Sequence, residues 1–375
     1  SGEGALDLGV LMSERDAVVA GTFTTSKVLS PSVKLSKQRV GNGSARVVVA
    51  NSGCANCCVG EQGFKDAEEM TSLAAAQVGV SEDDVLICST GLIGVELPMA
   101  LVRQNIGNIS LTDEGGHQFA RAIMTTDSRT KEIAVSVEIM GRRIILGATA
   151  KGVGMIHPNM ATMLCFVTTD ALVQQDFLQQ ALKESVDASF NMMDVDGDMS
   201  TNDTVLVFAN GAAGGGEIQA GSDDADMFQE ALTYVCAALA KDLVRDAEGA
   251  QRLIEVVVEG ARTLDDARVA ARSIVSSILV KTMVHGRDPN WGRVMMALGK
   301  SGIEFEEEGV DLFVNDIHMV HEGTAFSYLK DAVISSMSGP EVQFRVRVNA
   351  GGFSATAWGC DLTEEYVIFN SAYST

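Results

Sequence analysis

The segment Lys151-Gly-Val-Gly-Met-Ile-His-Pro-Asn-Met-Ala-Thr162-Met-Leu limits the fold more than any other stretch of the chain. Its glycines and proline mark a loop. The apolar run Met163–Thr168 that follows suits a buried strand. Thr162 therefore stands where a loop enters the core, behind the small residue Ala161. Two readings fit. The plain one is a loop feeding a strand over 162–169. The other is a self-cleaving bond. The Thr162 hydroxyl attacks the Ala161 carbonyl, the chain passes through an ester, and water releases it. Thr162 would then carry a nucleophilic hydroxyl beside a free α-amine of pKa ~7.7–8.0 that can act as its base.

The rest of the chain narrows the function classes. Its 375 residues allow one large or two medium domains, and 46% are apolar, enough for a substantial core. No apolar run approaches the ~18 residues of a membrane span, so no membrane partner is expected. The formal net charge is −22 with no compensating Lys/Arg block. Nucleic acid is disfavoured as a partner, because phosphate binding needs clustered cations. Seven cysteines, an odd number, several of them in apolar runs, point to reduced thiols in a reducing, cytoplasmic compartment. Cys54-Ala-Asn-Cys57-Cys58 has no second pair to complete a zinc site and reads as a thiol cluster. The start, Ser1-Gly-Glu-Gly, carries no signal or transit pattern.

Strand-like runs occur at 45–49, 85–88, 133–139, 143–148, 163–168, 204–208, 254–258 and 342–348. Gly141-Arg142 looks like a hairpin turn. Helical spacing appears over 65–79, from Leu97-Pro98, after Thr112-Asp-Glu as a cap, and over 174–190, 225–244 and 265–280. Gly211–Gly216 reads as a flexible connector. Hairpins mixed with helices and long loops predict an α+β fold rather than a doubly wound sheet.

Several short motifs occur in order along the chain: Thr22-Phe-Thr-Thr25, Asn51-Ser-Gly, Gly60-Glu-Gln-Gly63, Ser89-Thr-Gly-Leu-Ile-Gly94, Met124-Thr-Thr-Asp127, the Lys151–Leu164 segment, Asp196-Gly-Asp with Ser200-Thr-Asn-Asp-Thr204, Val284-His-Gly-Arg-Asp-Pro-Asn-Trp-Gly-Arg293 and Gly359-Cys-Asp-Leu-Thr-Glu-Glu-Tyr366. As an ordered set spanning nearly the whole chain they resemble the glutamate N-acetyltransferase/ornithine acetyltransferase family. The resemblance implies an α-β-β-α sandwich similar to that of self-cleaving aminopeptidases. It also implies cleavage at Ala161–Thr162 into residues 1–161 (α chain) and 162–375 (β chain), which stay together as an α2β2 heterotetramer. The implied reaction moves acetyl from N2-acetyl-L-ornithine to L-glutamate by a ping-pong route through acetyl-Thr162.

Residue roles follow from the same resemblance. Thr90 and Gly91 match the oxyanion pair. Thr125, Lys151, Thr162, Glu248, Asn370 and Thr375 match substrate-binding positions. Thr126 competes with Thr125, because the doublet allows a one-residue error. Chemically, the Lys151 cation suits an amino-acid carboxylate, and Glu248 suits the second ammonium of ornithine. Tyr366, Val367, Ile368 and Phe369 are apolar enough to pin the tail that carries Asn370 and Thr375. No metal or cofactor is required; acetyl-CoA enters only as a co-substrate if the enzyme is bifunctional. Two departures stand out: Cys54 where the family usually has asparagine, and Asp246-Ala247 where Asp-Gly is common. Family members also begin earlier, so a trimmed N-terminus is expected. A self-cleaving aminopeptidase or amidase, and a non-enzymatic binding protein, remain as alternatives of other classes.

Three other patterns lack a needed residue. Gly299-Lys-Ser301 has Val294 where a phosphate loop needs glycine. Asp194-Val-Asp-Gly-Asp198 lacks the closing acid of a calcium loop, position 205 being valine. His318-Met-Val-His321 lacks the zincin spacing, and the five histidines form no triad.

Overall fold

A computed structural model describes residues 6–157 and 163–372. Its strands are β1 (Leu8–Phe23), β2 (Ser44–Asn51), β3 (Val85–Ser89), β4 (Lys131–Ile139), β5 (Arg142–Lys151), β6 (Leu164–Thr169), β7 (Met193–Asp194), β8 (Thr204–Ala209), β9 (Leu253–Ala261), β10 (Asp311–Val314), β11 (Ile317–His321), β12 (Thr324–Ala325), β13 (Glu341–Arg347) and β14 (Phe353–Cys360). They form two mixed seven-stranded sheets, ordered β3-β2-β1-β8-β6-β5-β4 and β12-β11-β10-β13-β9-β14-β7. Helices pack on both, which is the α+β architecture expected from the sequence.

The first sheet is built around β6 and β8. Both are apolar along nearly their whole length and almost wholly buried, as parallel neighbours inside a sheet should be. β5 pairs antiparallel with β6, so that Lys151 lies opposite Leu164; on the other side Leu164 pairs with Thr204. The chain thus comes back into the sheet beside its own departure point, and the start of β6 sits between Lys151 and Thr204. The helix Asp223–Arg245 lies against β4 and β5 and also against β9 and β14. Its buried Phe228, Leu232, Val235, Leu239 and Leu243 join both sheets in one core.

Several sequence expectations shift. The β4–β5 turn is Met140-Gly141, both at positive φ (51° and 67°), with Ile139 paired to Arg142. A two-residue hairpin of this kind matches strand twist. The expected Thr112 cap instead forms a turn, and the helix runs Gly116–Ala122. The stretch 265–280 is two helices, Leu264–Val275 and Ile278–Gly286, parted at Ser276-Ser277. β1 and the helix Pro31–Val40 were not read from the sequence. In β1 the register shift between Met12 and Ala17, over the polar Ser-Glu-Arg-Asp, breaks the alternation that marks a strand.

Candidate active site

A cavity of about 830 Å³ opens beside the start of β6. Thr90, Gly91, Thr125, Thr126, Lys151, Glu248 and Asn370 all line it. The cleavage residues Ala161 and Thr162, and Thr375, lie outside the described residues. Their neighbour Met163 is fixed: its N–H donates to Asp203 Oδ1 at 2.9 Å, and its carbonyl accepts from Thr204 N at 3.1 Å.

Lys151 is the only cation among the described lining residues. Its side chain is 2% exposed. The ammonium donates to the Thr125 hydroxyl at 2.9 Å and the Thr90 hydroxyl at 3.3 Å, and stands 4.0 Å from Asp127. Burial pushes its pKa down; Asp127 pulls it back up only in part. Asp127 has the reverse balance. Burial would raise it, but Lys151, Lys131 and the Gly152 N–H hold it below the usual carboxylate range. Its oxygens accept from Lys131 Nζ at 2.7 Å, Gly152 N at 2.8 Å and Thr125 N at 3.1 Å. Lys131, fully buried, also donates to Asp246 at 2.7 Å. This polar base fixes the Thr125-Thr126 doublet.

The doublet serves two partners. Thr125 faces Lys151, whereas Thr126 donates to Glu248 Oε1 at 2.8 Å. The competing assignments therefore both fall on the cavity wall. Asn370 donates to the other Glu248 oxygen at 3.0 Å. The departure at Asp246-Ala247 is absorbed: Asp246 pairs with Lys131, and Ala247 is buried in the core.

Thr90 follows β3 and bridges to Cys54. Gly91 has φ +128°, and a Cβ there would fall 2.2 Å from the Gly53 carbonyl carbon. Only glycine lets these two loop backbones meet. The asparagine-to-cysteine departure at Cys54 leaves its carbonyl bonded, by Asn51 Nδ2 at 2.9 Å. Cys57 and Cys58 have their sulfurs 3.9 Å apart, Cys58 exposed.

The tail is held differently from expectation. Residues Glu364–Ala372 form a helix, but Val367 and Ile368 are 62% and 56% exposed and do not pin it. Polar bonds do: Tyr366 OH donates to Asp196 Oδ2 at 3.2 Å, and Asn370 reaches Glu248. Gly249 also makes room, since a Cβ there would lie 2.5 Å from Tyr366 N.

Against this geometry, the ArgJ family model matches residues 2–375. The chain belongs to the ArgJ family. The "Arginine biosynthesis bifunctional protein ArgJ" of Dehalococcoides mccartyi is 48% identical over 99% of this chain and 91% of its own. The "Glutamate N-acetyltransferase" of Methanocaldococcus jannaschii is 44% identical over 100% and 95%. A crystal structure of ArgJ from Bacillus halodurans matches with a TM-score of 0.54 and 39% identity, covering 56% of this chain and 98% of that one.

The sequence gives Asp127, Lys131, Asp196 and Asp203 no role in the site, although Asp127, Asp196 and Asp203 lie inside the motifs named above and Asp196 also inside the calcium-like pattern. Its oxygens are taken by the N–H groups of Met155 at 2.6 Å, Ile156 at 3.0 Å and Asp198 at 3.2 Å. It shapes the loop that leads toward Thr162. Among the described residues, no helix is long and apolar enough to cross a membrane.

Proposed function

We propose that the chain cuts itself at Ala161–Thr162 and that Thr162 then carries acetyl from N2-acetyl-L-ornithine to L-glutamate. The Thr162 oxygen attacks the acetyl carbonyl. The C–N bond breaks, and ornithine leaves with the proton taken up by the Thr162 α-amine. The glutamate amine then attacks the ester, giving N-acetyl-L-glutamate and restoring the hydroxyl. One amide replaces another, so the exchange is near thermoneutral and needs no activated donor, metal or cofactor. Thr90 and Gly91 stabilise the oxyanion, a donor of this kind being worth ~10²–10³ in rate. Lys151 takes the substrate carboxylate beside Thr125. Glu248, with Asn370 and Thr375, takes the ornithine side-chain ammonium.

The observation that carries this reading is the arrangement of opposite charges in one cavity, a single buried cation between two threonine hydroxyls and a carboxylate held by Thr126 and Asn370. A substrate with one carboxylate and one side-chain ammonium, as in N2-acetyl-L-ornithine, fits that pattern. The names of the relatives agree with it. The Bacillus halodurans chain is matched over 98% of its length by 56% of this one, close to the share that residues 162–375 make up. A relative divided in two would give that figure. We further propose that the two pieces remain associated as an α2β2 heterotetramer in the cytoplasm. β5 ends before the cut and β6 begins after it, yet the two are paired strands of one sheet.

Purified protein should run as two fragments, residues 1–161 and 162–375, that co-elute. Thr162→Ala should stay as one chain and lose exchange. Wild-type turnover in that uncut variant would overturn the assignment. The word "bifunctional" in the names of relatives supports a second reading, in which acetyl-CoA also acetylates glutamate. Parallel assays with acetylornithine and acetyl-CoA as donors separate the two.

A further inference from the structure

On the second sheet, far in the fold order from the cavity strands, Asp311 of β10 and His318 and His321 of β11 turn their ligand atoms toward one another, all within 4.8 Å. None of them lines the cavity. Residues three apart on an unbroken strand point to opposite faces. Here the pairing jumps from Phe313↔His318 to Leu312↔Val320, so that Met319 is an inserted residue. The bulge brings both imidazoles to Asp311.

The groups are held before any ion arrives. His321 Nδ1 is 2.9 Å and His318 Nε2 3.5 Å from the same oxygen, Asp311 Oδ1. The Glu322 N–H fixes that oxygen at 3.1 Å. The His318 ring stacks on Phe313 (4.3 Å, 14°) and on Phe326 (5.1 Å, 20°). Its Nε2 is buried and has no hydrogen-bond partner among the described residues. An ordinary Asp–His ion pair explains His321 but leaves that nitrogen unused. Tetrahedral zinc with bonds of about 2.0–2.1 Å sets its ligand atoms about 3.4 Å apart, near the 2.9 and 3.5 Å that separate the two imidazoles from Asp311 Oδ1.

We propose that Asp311, His318 and His321 form a binding site for a divalent transition-metal ion of the zinc type, which clips the β10–β11–β12 edge of the second sheet. Two imidazoles and one carboxylate favour zinc, cobalt or nickel over magnesium or calcium, which demand oxygen-only shells. Three protein ligands leave the fourth position to water, consistent with the half-exposed His321. Arg345 and Arg347 lie over the Phe313 ring, and Arg347 is paired with Glu259 at 2.7 Å.

The test is titration of the metal-free full chain with Co2+, read by visible absorption, and with Zn2+, read by calorimetry. One equivalent should bind, with ligand-field bands and no sulfur-to-cobalt charge transfer, and should raise the thermal midpoint. His318→Phe, which keeps the ring stack, and His321→Ala should each weaken binding at least ten-fold while leaving circular dichroism and acetyl exchange unchanged. Binding unaltered in both variants, binding with a thiolate charge-transfer band, or no binding by the wild type would each overturn the site.

Discussion

Lys151 and Lys281 are almost equally buried, 2% and 3% exposed, yet their surroundings push them in opposite directions. Lys281, on the helix Ile278–Gly286, sits 3.0 Å from Asp194 Oδ2 and donates to the carbonyls of Asp194 (3.1 Å) and Cys360 (3.2 Å). Burial works against its charge, but Cys360 and Asp194 outweigh it, and its pKa rises. Lys151 has two hydroxyls and a carboxylate at 4.0 Å that is already committed to Lys131. Its pKa falls. Lys281 is a completed ion pair tying β7 to β14. Lys151 is a charge with unused capacity, facing a cavity. Degree of burial alone does not separate the two lysines; the saturation of their partners does.

Removing each ammonium should break the symmetry. Lys281→Met strands Asp194 in the core with His157 as its remaining side-chain partner. Loss of one member of a buried pair costs about 3–5 kcal/mol. The expected result is a large drop in denaturant midpoint, with exchange kinetics near normal in whatever folds. Lys151→Met should do the reverse. Asp127 keeps Lys131 and two N–H donors, so stability should change by less than about 1 kcal/mol. Losing a charge-assisted bond to the substrate carboxylate should lower kcat/KM over a hundred-fold, about 3 kcal/mol, chiefly through KM. Equal destabilisation by the two variants would end the distinction.

Glu248 sharpens the comparison from the opposite charge. Its carboxylate is held by Thr126 and Asn370, neither of which brings a charge. Glu248→Gln should reduce kcat/KM for acetylornithine about ten-fold, by half-reaction assay, and leave glutamate acceptance nearly unchanged. Only the ornithine substrate brings a side-chain ammonium. Equal losses in both half-reactions would make Glu248 a structural group that orders the tail.

The lysines also mark how far sequence reading reached. Lys151 was legible because it sits in a motif with Thr162, and the folding of β5 against β6 turns that linear spacing into proximity. Asp127 and Lys131 were not given roles. Their importance comes from a buried network with Asp246, 115 residues distant from Lys131. β4 was legible because its faces alternate, Ile133, Val135 and Val137 half-buried between exposed neighbours. β1 was missed because a polar bulge interrupts it, although it is an interior strand of the first sheet, between β2 and β8. His318 and His321 lack the zincin spacing and so carried no metal signal in the sequence. The bulge that brings both to Asp311 leaves no mark in strand periodicity.

The smallest expected effect concerns Asp203, whose backbone adjoins the first residues of β6. Its side chain is fully buried and accepts from Met163 N. Burial drives its pKa well above the usual value; the Met163 N–H, Ser200 and Lys151 offset this only in part. Asp194 beside Lys281 is the opposite case. Burial would raise it too, but Lys281 and His157 hold it low. The two should leave stability traces of opposite sign. A lowered carboxylate contributes stability that is complete above its unfolded value, about 3.8, and lost as pH falls through the folded value. A raised one binds more protons folded than unfolded, so stability declines as pH rises from about 3.8 toward the folded value. Asp203→Asn keeps an oxygen for Met163 N and removes that titration. Its thermal midpoint relative to wild type should therefore climb with pH over this window. Asp194→Asn should fall relative to wild type across the acid range. A pH-independent gap for Asp203→Asn would mean that Asp203 ionises like a surface aspartate, and that the entrance to β6 carries a full negative charge beside Lys151.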